Sequence, residues 1–221
     1  MLKILYEDNH SIAVFKPAGL LVQGDASGDE TLMDQVKAYL KEKYQKPGNV
    51  FLGLVHRLDR PASGIVVFAR TSKGAARLSE QFRDRTVEKT YTALVEGQIK
   101  PPSGTLKHFL KKDEVAKKAY VVKSGTTDAD LAELSYETIK STAHCSLLSI
   151  SLLTGRFHQI RAQLSAIGHP IIGDQKYGSK QKLPGGAIAL CATSLTFTTA
   201  TDHKKVSLSV PYPSEWNAFL K

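Results

Sequence analysis

Hydrophobic residues recur at three- to four-residue spacing in several stretches of the chain, which places them on one face of a helix. The first such face consists of Leu32, Val36 and Leu40. We predict that this helix begins at Thr31 and that Pro47-Gly48 ends it. A second helix begins near Ser72, which can cap it, a third covers Arg156–Ile167, and a short one covers Ser214–Leu220. The apolar face of the second consists of Ala75, Leu78 and Phe82, and that of the third of Phe157, Ile160, Leu164 and Ile167.

Alternating or continuous apolar runs rich in β-branched residues predict strands elsewhere. The predicted strands are Lys3–Tyr6, Ser11–Phe15, Val50–Val55, Gly64–Ala69, Val87–Val95, Ser135–Ile139, His144–Leu153, Ala187–Leu190, Leu195–Thr199 and Lys205–Val210. In one of them, Lys89 and Tyr91 share a face with Val87, Ala93 and Val95, so a lysine and a phenol lie on a face that should be largely buried. The Pro-, Gly- and Lys-rich stretch from Gln98 to Gly125 is expected to be an exposed hairpin region or insertion.

The predicted strands outnumber the helices and mostly follow one another too closely for repeated βαβ crossovers. This order favours the α+β class, with a mixed, largely antiparallel central sheet flanked by helices. A length of 221 residues suits one sizeable domain, so we predict a single domain over residues 1–221.

The chain is basic, with 30 Lys and Arg residues against 21 Asp and Glu and a formal net charge of +9. Such an excess favours a polyanionic partner, because each neutralised phosphate releases condensed counterions. Nucleic acid is the partner that we expect, although an anionic membrane surface would attract the same charge. The main basic cluster lies between Lys107 and Lys118, whereas Lys41, Lys43 and Lys46 are interpreted as a solvated helix face.

No apolar run approaches the roughly 20 residues that a membrane-spanning helix needs, and the first residues lack the apolar core of a secretory signal. We therefore expect a cytoplasmic protein with no membrane partner. Cys145 and Cys191 lie far apart in apolar stretches, so each is interpreted as a buried hydrophobe rather than part of a disulfide or zinc site. The histidines whose spacing suggests no metal site are His10, His108, His144, His169 and His203. Neither a metal nor another cofactor is predicted.

Asp59 lies between Arg57 and Arg60, in a segment that joins two predicted buried strands. Nearby positive charge favours the ionised carboxylate, and loops at strand ends are where rigid scaffolds present reactive groups. Taken alone, such an aspartate is more often a cap or an ion-pair partner. A hydrolase that uses Asp59 as a general base beside a metal is a further alternative, but no second carboxylate or histidine cluster accompanies it.

A second polar group falls on the predicted helix Arg156–Ile167. His158, Arg161 and Ser165 form a polar stripe beside the apolar one, and they could point into a cleft at the edge of the core. The simpler interpretation is that Arg161 lies on the surface and that His158 is a partly buried histidine with satisfied hydrogen bonds.

Three motifs in register resemble the RluA family of RNA pseudouridine synthases. They are His56-Arg57-Leu58-Asp59-Arg60 with Ser63-Gly64, Glu88-Lys89-Thr90-Tyr91-Thr92-Ala93-Leu94-Val95, and Gly155-Arg156-Phe157-His158-Gln159-Ile160-Arg161 with Gly168-His169-Pro170-Ile171-Ile172-Gly173-Asp174 downstream. The resemblance runs from about Ile4 to about Phe197. It implies that residues 1–221 form the catalytic domain alone, without the separate N-terminal RNA-binding domain that many relatives carry.

The resemblance also implies roles for four residues. Asp59 matches the essential aspartate, which acts during glycosidic bond cleavage either at C1′ of the ribose or by taking the 2′ proton to give a glycal. Tyr91 matches the tyrosine that packs on the flipped base and is proposed to take part in removing the C5 proton. Arg161 matches the arginine that pairs with the aspartate, and Arg57 matches the residue that fills the space left by the extruded base.

RNA is expected to contact Arg57, Arg60, Lys89 and Arg156, with the basic hairpin around Lys107–Lys118 as an outer contact. Arg60 and Arg156 could equally be ion-pair partners within the protein. We expect a monomer with ribosomal or transfer RNA as its substrate and no obligate protein partner. The alternative function is a non-catalytic RNA-binding or ribosome-assembly factor on the same fold.

The sequence departs from the family pattern at two positions near these motifs. Ala62 replaces a usual threonine, and Cys191 replaces a usual histidine. These differences concern the wall of the pocket and the choice of substrate rather than the reaction.

Overall fold

The computed structural model describes residues 2–25 and 28–221, so part of the predicted loop from Gly24 to Asp29 lies outside the described residues. In chain order the strands are β1 (Lys3–Glu7), β2 (Ser11–Lys16), β3 (Gly53–Leu54), β4 (Ser63–Ala69), β5 (Glu88–Glu96), β6 (Ser103–Asp113), β7 (Lys118–Val122), β8 (Ala129–Ser141), β9 (Cys145–Leu152), β10 (Leu190–Thr198) and β11 (Lys205–Ser209). The α-helices are α1 (Leu32–Lys43), α2 (Ser72–Arg83) and α3 (Gln159–Ala166), and short 3-10 helices cover Gln175–Tyr177, Pro184–Gly186 and Ser214–Leu220. This content confirms the α+β class and the short terminal helix.

The chain folds into two compact units. The first comprises the chain up to Glu88 together with Ala192–Val210, and the second comprises Lys89–Cys191 together with Pro211–Lys221. The single catalytic domain over residues 1–221 stays a prediction. Within the described residues, no helix combines the length and the apolar character that crossing a membrane requires.

In the first unit, the strand order is β1, β2, β4 and β10, with β3 paired to β4 and β11 paired to β10. The core forms where β2 and β4 carry Ala13, Ile65 and Val67 against Leu78 of α2. Ala75 and Phe82 pack on the same core, so the predicted inward face of α2 is confirmed. Burial of these apolar side chains is the main force that holds the helix on the sheet.

The ends of the first two helices differ from the predictions. Thr71 rather than Ser72 caps α2, because the Thr71 hydroxyl accepts a hydrogen bond from the Gly74 backbone N–H and also bonds the His10 ring. Thr31 caps α1 as predicted, in a capping box with Asp34. However, α1 ends at Lys43 rather than at Pro47-Gly48, because the next residues leave the helical conformation and Gln45 has a φ of +47°.

The predicted strand Val50–Val55 is wrong over most of its length, since only Gly53–Leu54 pairs with β4. Continuing the same register, the next residue of β4 is Val67. The backbone N–H of Val67 donates to Nε2 of His56 at 3.0 Å instead of to a strand carbonyl. The His56 ring stacks on Phe82, with 4.6 Å between ring centroids. A side chain has therefore replaced the backbone partner, which releases the chain from the sheet just before Asp59.

In the second unit, the strand order is β5, β9, β8, β6 and β7, and each adjacent pair is antiparallel. The hairpin of β6 and β7 confirms the prediction for the stretch from Gln98 to Gly125. The predicted strand Ser135–Ile139 is part of the longer β8. In β5, Thr92 and Leu94 are buried as well as Tyr91, Ala93 and Val95, so both faces of this strand are covered from Tyr91 onwards.

Two further boundaries in the second unit were wrong. The stretch Ala187–Leu190 was predicted to be a strand but follows a 3-10 helix, and Ala189 instead bridges Leu94 and Ile172 through its backbone. The third helix begins at Gln159 rather than at Arg156, because His158 adopts a left-handed conformation with a φ of +51°.

Candidate active site

Asp59 lies on an irregular loop between β3 and β4 of the first unit. Its side chain is partly buried, whereas Arg57 and Arg60 are exposed. Leu58 is buried and anchors the loop, and the Ala62 backbone N–H donates to the Asp59 carbonyl at 3.1 Å to close a turn. The loop thus presents a carboxylate beside two arginines, as the spacing of these residues predicted.

The start of β4 fixes the other end of this loop. Ala62, Ser63 and Gly64 are all buried, so the departure at Ala62 concerns a packed position. Gly64 has a φ of +126°, and a side chain there would collide with the backbone of Ala192 on β10. Glycine is therefore required at this position both by its conformation and by the close approach of the backbone.

Lys16 supports the Asp59 loop, and sequence reasoning missed it. It is fully buried at the end of β2, where its ammonium donates to the carbonyls of Pro17 at 3.1 Å, Leu20 at 2.7 Å and Arg60 at 3.1 Å. Burial lowers the pKa of Lys16 to about 8, with the positive charge of Arg60 acting in the same direction and the Asp59 carboxylate opposing it. One sign of this role is present in the sequence: Lys16 directly follows an apolar strand and directly precedes Pro17.

Arg60 belongs to the same support. Its Nε donates to the Gly19 carbonyl at 3.0 Å, and the Gly19 backbone N–H donates back to the Arg60 carbonyl at 2.8 Å. Its guanidinium also pairs with Asp29 at 2.8 Å, in an exposed pair of the kind that contributes little to stability. The alternative interpretation of Arg60, as an ion-pair partner within the protein, therefore has direct structural support.

Tyr91 and Lys89 lie on β5 of the second unit. The Tyr91 side chain is 8% exposed, and its cross-strand partner is Ile150 on β9. Lys89 is partly buried, and its ammonium lies next to Gly155, at the start of the segment that leads to α3. Both residues lie on the strand that the alternation of apolar residues indicated.

Arg161 is a buried residue of α3, which excludes the interpretation of it as a surface arginine. Its Nε donates to Oδ2 of Asp174 at 2.7 Å and its Nη2 donates to Oδ1 at 2.9 Å, which makes a bidentate pair. Its Nη1 lies 2.9 Å from Nε2 of His158. Arg161 and Asp174 are 5% and 1% exposed, so the pair is shielded from water. Pairing of Arg161 with Asp59 stays a prediction.

Arg156 has partners within the second unit. Its Nε donates to the Leu131 carbonyl at 3.2 Å, and its Nη1 lies 3.3 Å from a carboxylate oxygen of Asp130. Its backbone N–H donates to Oε1 of Gln159, which also accepts from the Thr154 hydroxyl at 2.6 Å. These bonds fold the segment that precedes α3 and explain why the helix starts late.

The remaining predicted positions are placed as follows. Cys145 and Cys191 are 2% and 0% exposed, in agreement with their interpretation as buried side chains. The exposed basic residues of the β6–β7 hairpin are in part neutralised, since Lys107 pairs with Glu133 at 3.6 Å and Lys112 with Glu114 at 2.7 Å. Among the residues that the structure describes, no group of three His, Cys, Asp or Glu side chains could hold a metal ion.

Comparisons with known proteins find consistent similarities. A family model described as RNA pseudouridylate synthase matches residues 10–166. A tRNA pseudouridine synthase C from Haemophilus ducreyi is 34% identical, over 97% of this chain and 93% of the relative. A ribosomal large subunit pseudouridine synthase D from Zymomonas mobilis is 30% identical, over 100% of this chain and 72% of the relative. The solved structure of human RNA Pseudouridylate Synthase Domain Containing 4 superposes with a TM-score of 0.81 at 25% identity, over 97% of this chain and 90% of that chain.

Proposed function

Since this chain belongs to the RNA pseudouridylate synthase family, we propose that it isomerises specific uridines of ribosomal or transfer RNA to pseudouridine with Asp59 as its essential carboxylate. The membership confirms the resemblance of the three motifs and makes the chain an isomerase that acts on RNA. The named residues and the substrate RNA are the parts that we propose. One observation supports the choice of Asp59: it lies on a loop that buried side chains hold in place.

The reaction breaks the bond between N1 of uracil and C1′ of the ribose, turns the detached base, and joins its C5 to C1′. The C5 proton is lost and a proton is gained at N1, so the product has the same atoms as the substrate and no oxidant or reductant is consumed. A carboxylate at the ribose is sufficient to start this sequence, either by attack at C1′ or by removal of the 2′ proton. Asp59 supplies that carboxylate in our proposal.

A fixed loop suits this role, because a reacting group must be held in a narrow range of positions. Lys16 binds the carbonyl of Arg60, the residue next to Asp59, and His56 holds the other side of the loop through the Val67 backbone. The buried Lys16 and the partly buried His56 therefore restrain the backbone on both sides of the carboxylate. Neither support requires a bound ligand to form.

Tyr91 and Arg161 are proposed to act on the flipped nucleotide and on the carboxylate, respectively. A tyrosine ring gives a uracil a surface for stacking, and the strand on which Tyr91 lies is rigid because both its faces are covered. The Arg161 guanidinium is oriented by Asp174 through two nitrogens and by His158 through the third. An arginine held in this way is suited to orient a second carboxylate without losing side-chain entropy on binding.

The four basic residues that we propose for RNA contact differ in exposure and in their bonds within the protein. Arg57 is exposed on the Asp59 loop, which suits insertion into the space that the flipped uridine leaves. Arg60 and Arg156 already bond backbone carbonyls of their own units, so we propose that they stabilise loops and contact phosphates at most in addition. Lys89 and the β6–β7 hairpin are further RNA contacts that we propose for the second unit.

The test maps pseudouridine across total cellular RNA by carbodiimide adducts and primer extension, with and without this gene. Cells that lack the gene are complemented with wild type, with Asp59→Asn, or with Asp29→Asn as a control that removes a carboxylate from the same unit. We expect wild type and Asp29→Asn to restore the missing pseudouridines and Asp59→Asn to restore none, although the purified variant still binds the RNA. If Asp59→Asn restores modification fully, the assignment of Asp59 is wrong.

A further inference from the structure

Tyr177 connects three parts of the second unit through one buried side chain. It lies in the 3-10 helix Gln175–Tyr177 and is 4% exposed. Its hydroxyl oxygen accepts a hydrogen bond from the Ala119 backbone N–H of β7 at 2.7 Å and lies 3.0 Å from Nδ1 of His158. Its own carbonyl accepts from the Ser165 hydroxyl of α3 at 2.6 Å. The polar stripe of α3 therefore faces Tyr177.

The proton positions in this cluster follow from the chemistry of arginine, which donates hydrogen bonds and accepts none. Because Nη1 of Arg161 lies 2.9 Å from Nε2 of His158, that nitrogen must accept and carries no proton. The imidazole is then neutral with its proton on Nδ1, and it donates to the Tyr177 oxygen. Tyr177 thus accepts two hydrogen bonds, one from the hairpin and one from the histidine that orients Arg161.

Packing contacts follow the same route. The Tyr177 ring lies 5.0 Å from the Arg161 guanidinium carbon and 4.9 Å from the ammonium of Lys118 on the hairpin. A second connection runs from Lys112, whose ammonium lies 4.9 Å from the Phe157 ring, to His158, which stacks on Phe157 at 3.8 Å. The hairpin thus reaches the histidine both through hydrogen bonds and through aromatic and cationic contacts.

We propose that Tyr177 is a positioning residue that couples the β6–β7 hairpin to the Arg161 guanidinium through the neutral His158 imidazole. Its hydroxyl holds the one histidine tautomer that can accept from Arg161. Displacement of β7, for example when RNA contacts the hairpin lysines, moves the acceptor on which that tautomer depends. The effect on catalysis rests on the proposed function, whereas the hydrogen-bond relay exists in the protein without RNA.

The first experiment compares Tyr177→Phe with Tyr136→Phe in the full chain. Both replacements retain a buried ring in the second unit and remove one hydroxyl, since Tyr136 is 6% exposed and its hydroxyl donates to the Pro101 carbonyl at 3.3 Å. With an RNA fragment that contains the mapped uridine, Tyr177→Phe should lower kcat by about tenfold, the effect of one lost hydrogen bond, and leave KM within about twofold. Tyr136→Phe should change neither value by more than about twofold. Equal kcat values for the two variants would overturn the proposal.

The second readout needs no RNA. In protein labelled with nitrogen-15 histidine, the His158 signal is assigned by its absence in His158→Gln. Wild type and Tyr136→Phe should show a hydrogen-bonded proton on Nδ1. In Tyr177→Phe the Nδ1 proton should lose its hydrogen-bonded chemical shift and exchange faster with solvent, because its acceptor is gone while Arg161 still donates to Nε2. Amide exchange at Ala119 should become faster in Tyr177→Phe alone. An unchanged Nδ1–H signal in Tyr177→Phe would overturn the coupling, even if wild type forms no pseudouridine and the proposed function has therefore failed.

Discussion

Lys16 in the first unit and Arg161 in the second are both buried cations, but different groups stabilise them. Lys16 bonds three backbone carbonyls, which are neutral dipoles. Arg161 forms a bidentate pair with the carboxylate of Asp174, which is itself 1% exposed. The carbonyls return only part of the hydration that an ammonium loses, so the pKa of Lys16 falls to about 8.

The difference follows from what each cation is placed to hold. An ammonium donates in three directions, and at Lys16 these lead to Pro17, Leu20 and Arg60, which lie on two separate segments. A guanidinium is planar, and at Arg161 one edge matches the two oxygens of a carboxylate while another nitrogen reaches His158. The first arrangement fixes backbone around Asp59, and the second fixes the plane of a side chain.

The largest expected effect comes from removing the charge that compensates Arg161. Asp174→Asn keeps the shape of the side chain but removes the carboxylate charge that forms the bidentate pair with the buried Arg161, so the free energy of unfolding should fall by about 3 to 5 kcal/mol. Urea denaturation at neutral pH measures this change. The matched control is Asp130→Asn, which breaks the exposed pair with Arg156 and should cost less than about 1 kcal/mol. Equal losses of stability in the two variants would show that the buried pair of Arg161 and Asp174 contributes no more than the exposed pair of Arg156 and Asp130.

A smaller effect should appear in the pH dependence that Lys16 imparts. The pKa of Lys16 is about 8 in the folded protein, against an ordinary value of 10.5, so the unfolded chain binds more protons between these two values. Stability should therefore rise with pH across that window, by about 2 kcal/mol between pH 7.5 and 9.5 from this group. The difference between wild type and Lys16→Met isolates this contribution, because other groups titrate in both proteins. If the difference in stability between the two proteins does not change with pH, the pKa of Lys16 is not lowered in the folded protein.

The smallest expected change in stability is that of Lys16→Met itself at pH 7. The variant removes a costly buried charge and at the same time leaves carbonyls of Pro17 and Leu20 without their donor, so the two terms offset to within about 1 kcal/mol. Activity should nevertheless fall by about tenfold, because the Asp59 loop loses its anchor. On the same preparation, denaturation followed by circular dichroism measures the stability and single-turnover assays measure the activity. Full activity would show that Lys16 does not position the loop.

Sequence patterns predicted those elements whose side chains repeat regularly. β2, β4 and the inward face of α2 lie where alternation and helical spacing placed them. The strand at Val50–Val55 was wrong at both ends. Residues 50–52 find no strand partner on β4 because Gly53 already pairs with Ala69, where β4 ends, and after Leu54 the His56 ring takes the Val67 backbone N–H, which no periodicity reveals. The start of α3 was wrong for a related reason, since Gln159 and Thr154 bond the preceding segment with their side chains.

The candidate site was predictable only in part. Asp59, Tyr91 and Arg161 were found through motifs, and their elements agree with the structure, while their roles remain proposals. Lys16 was missed because a lysine is ordinarily exposed, and nothing in its spacing reveals three carbonyls that converge in space. Asp174 stood within a quoted motif, but its partnership with Arg161 joins residues 13 positions apart across a turn.

The split composition of the first unit has a consequence during synthesis. Its sheet needs β10, which begins at Leu190, to pair with β4, which ends at Ala69. A ribosome makes the chain from its N-terminus, so the segment from Lys89 to Cys191 is complete before the strand that finishes the first unit emerges. Closing so long a loop also costs conformational entropy, which slows folding. Asp59 therefore lies in a unit whose sheet cannot be completed until β10 has been made, and the nascent chain carries an unpaired sheet edge until then.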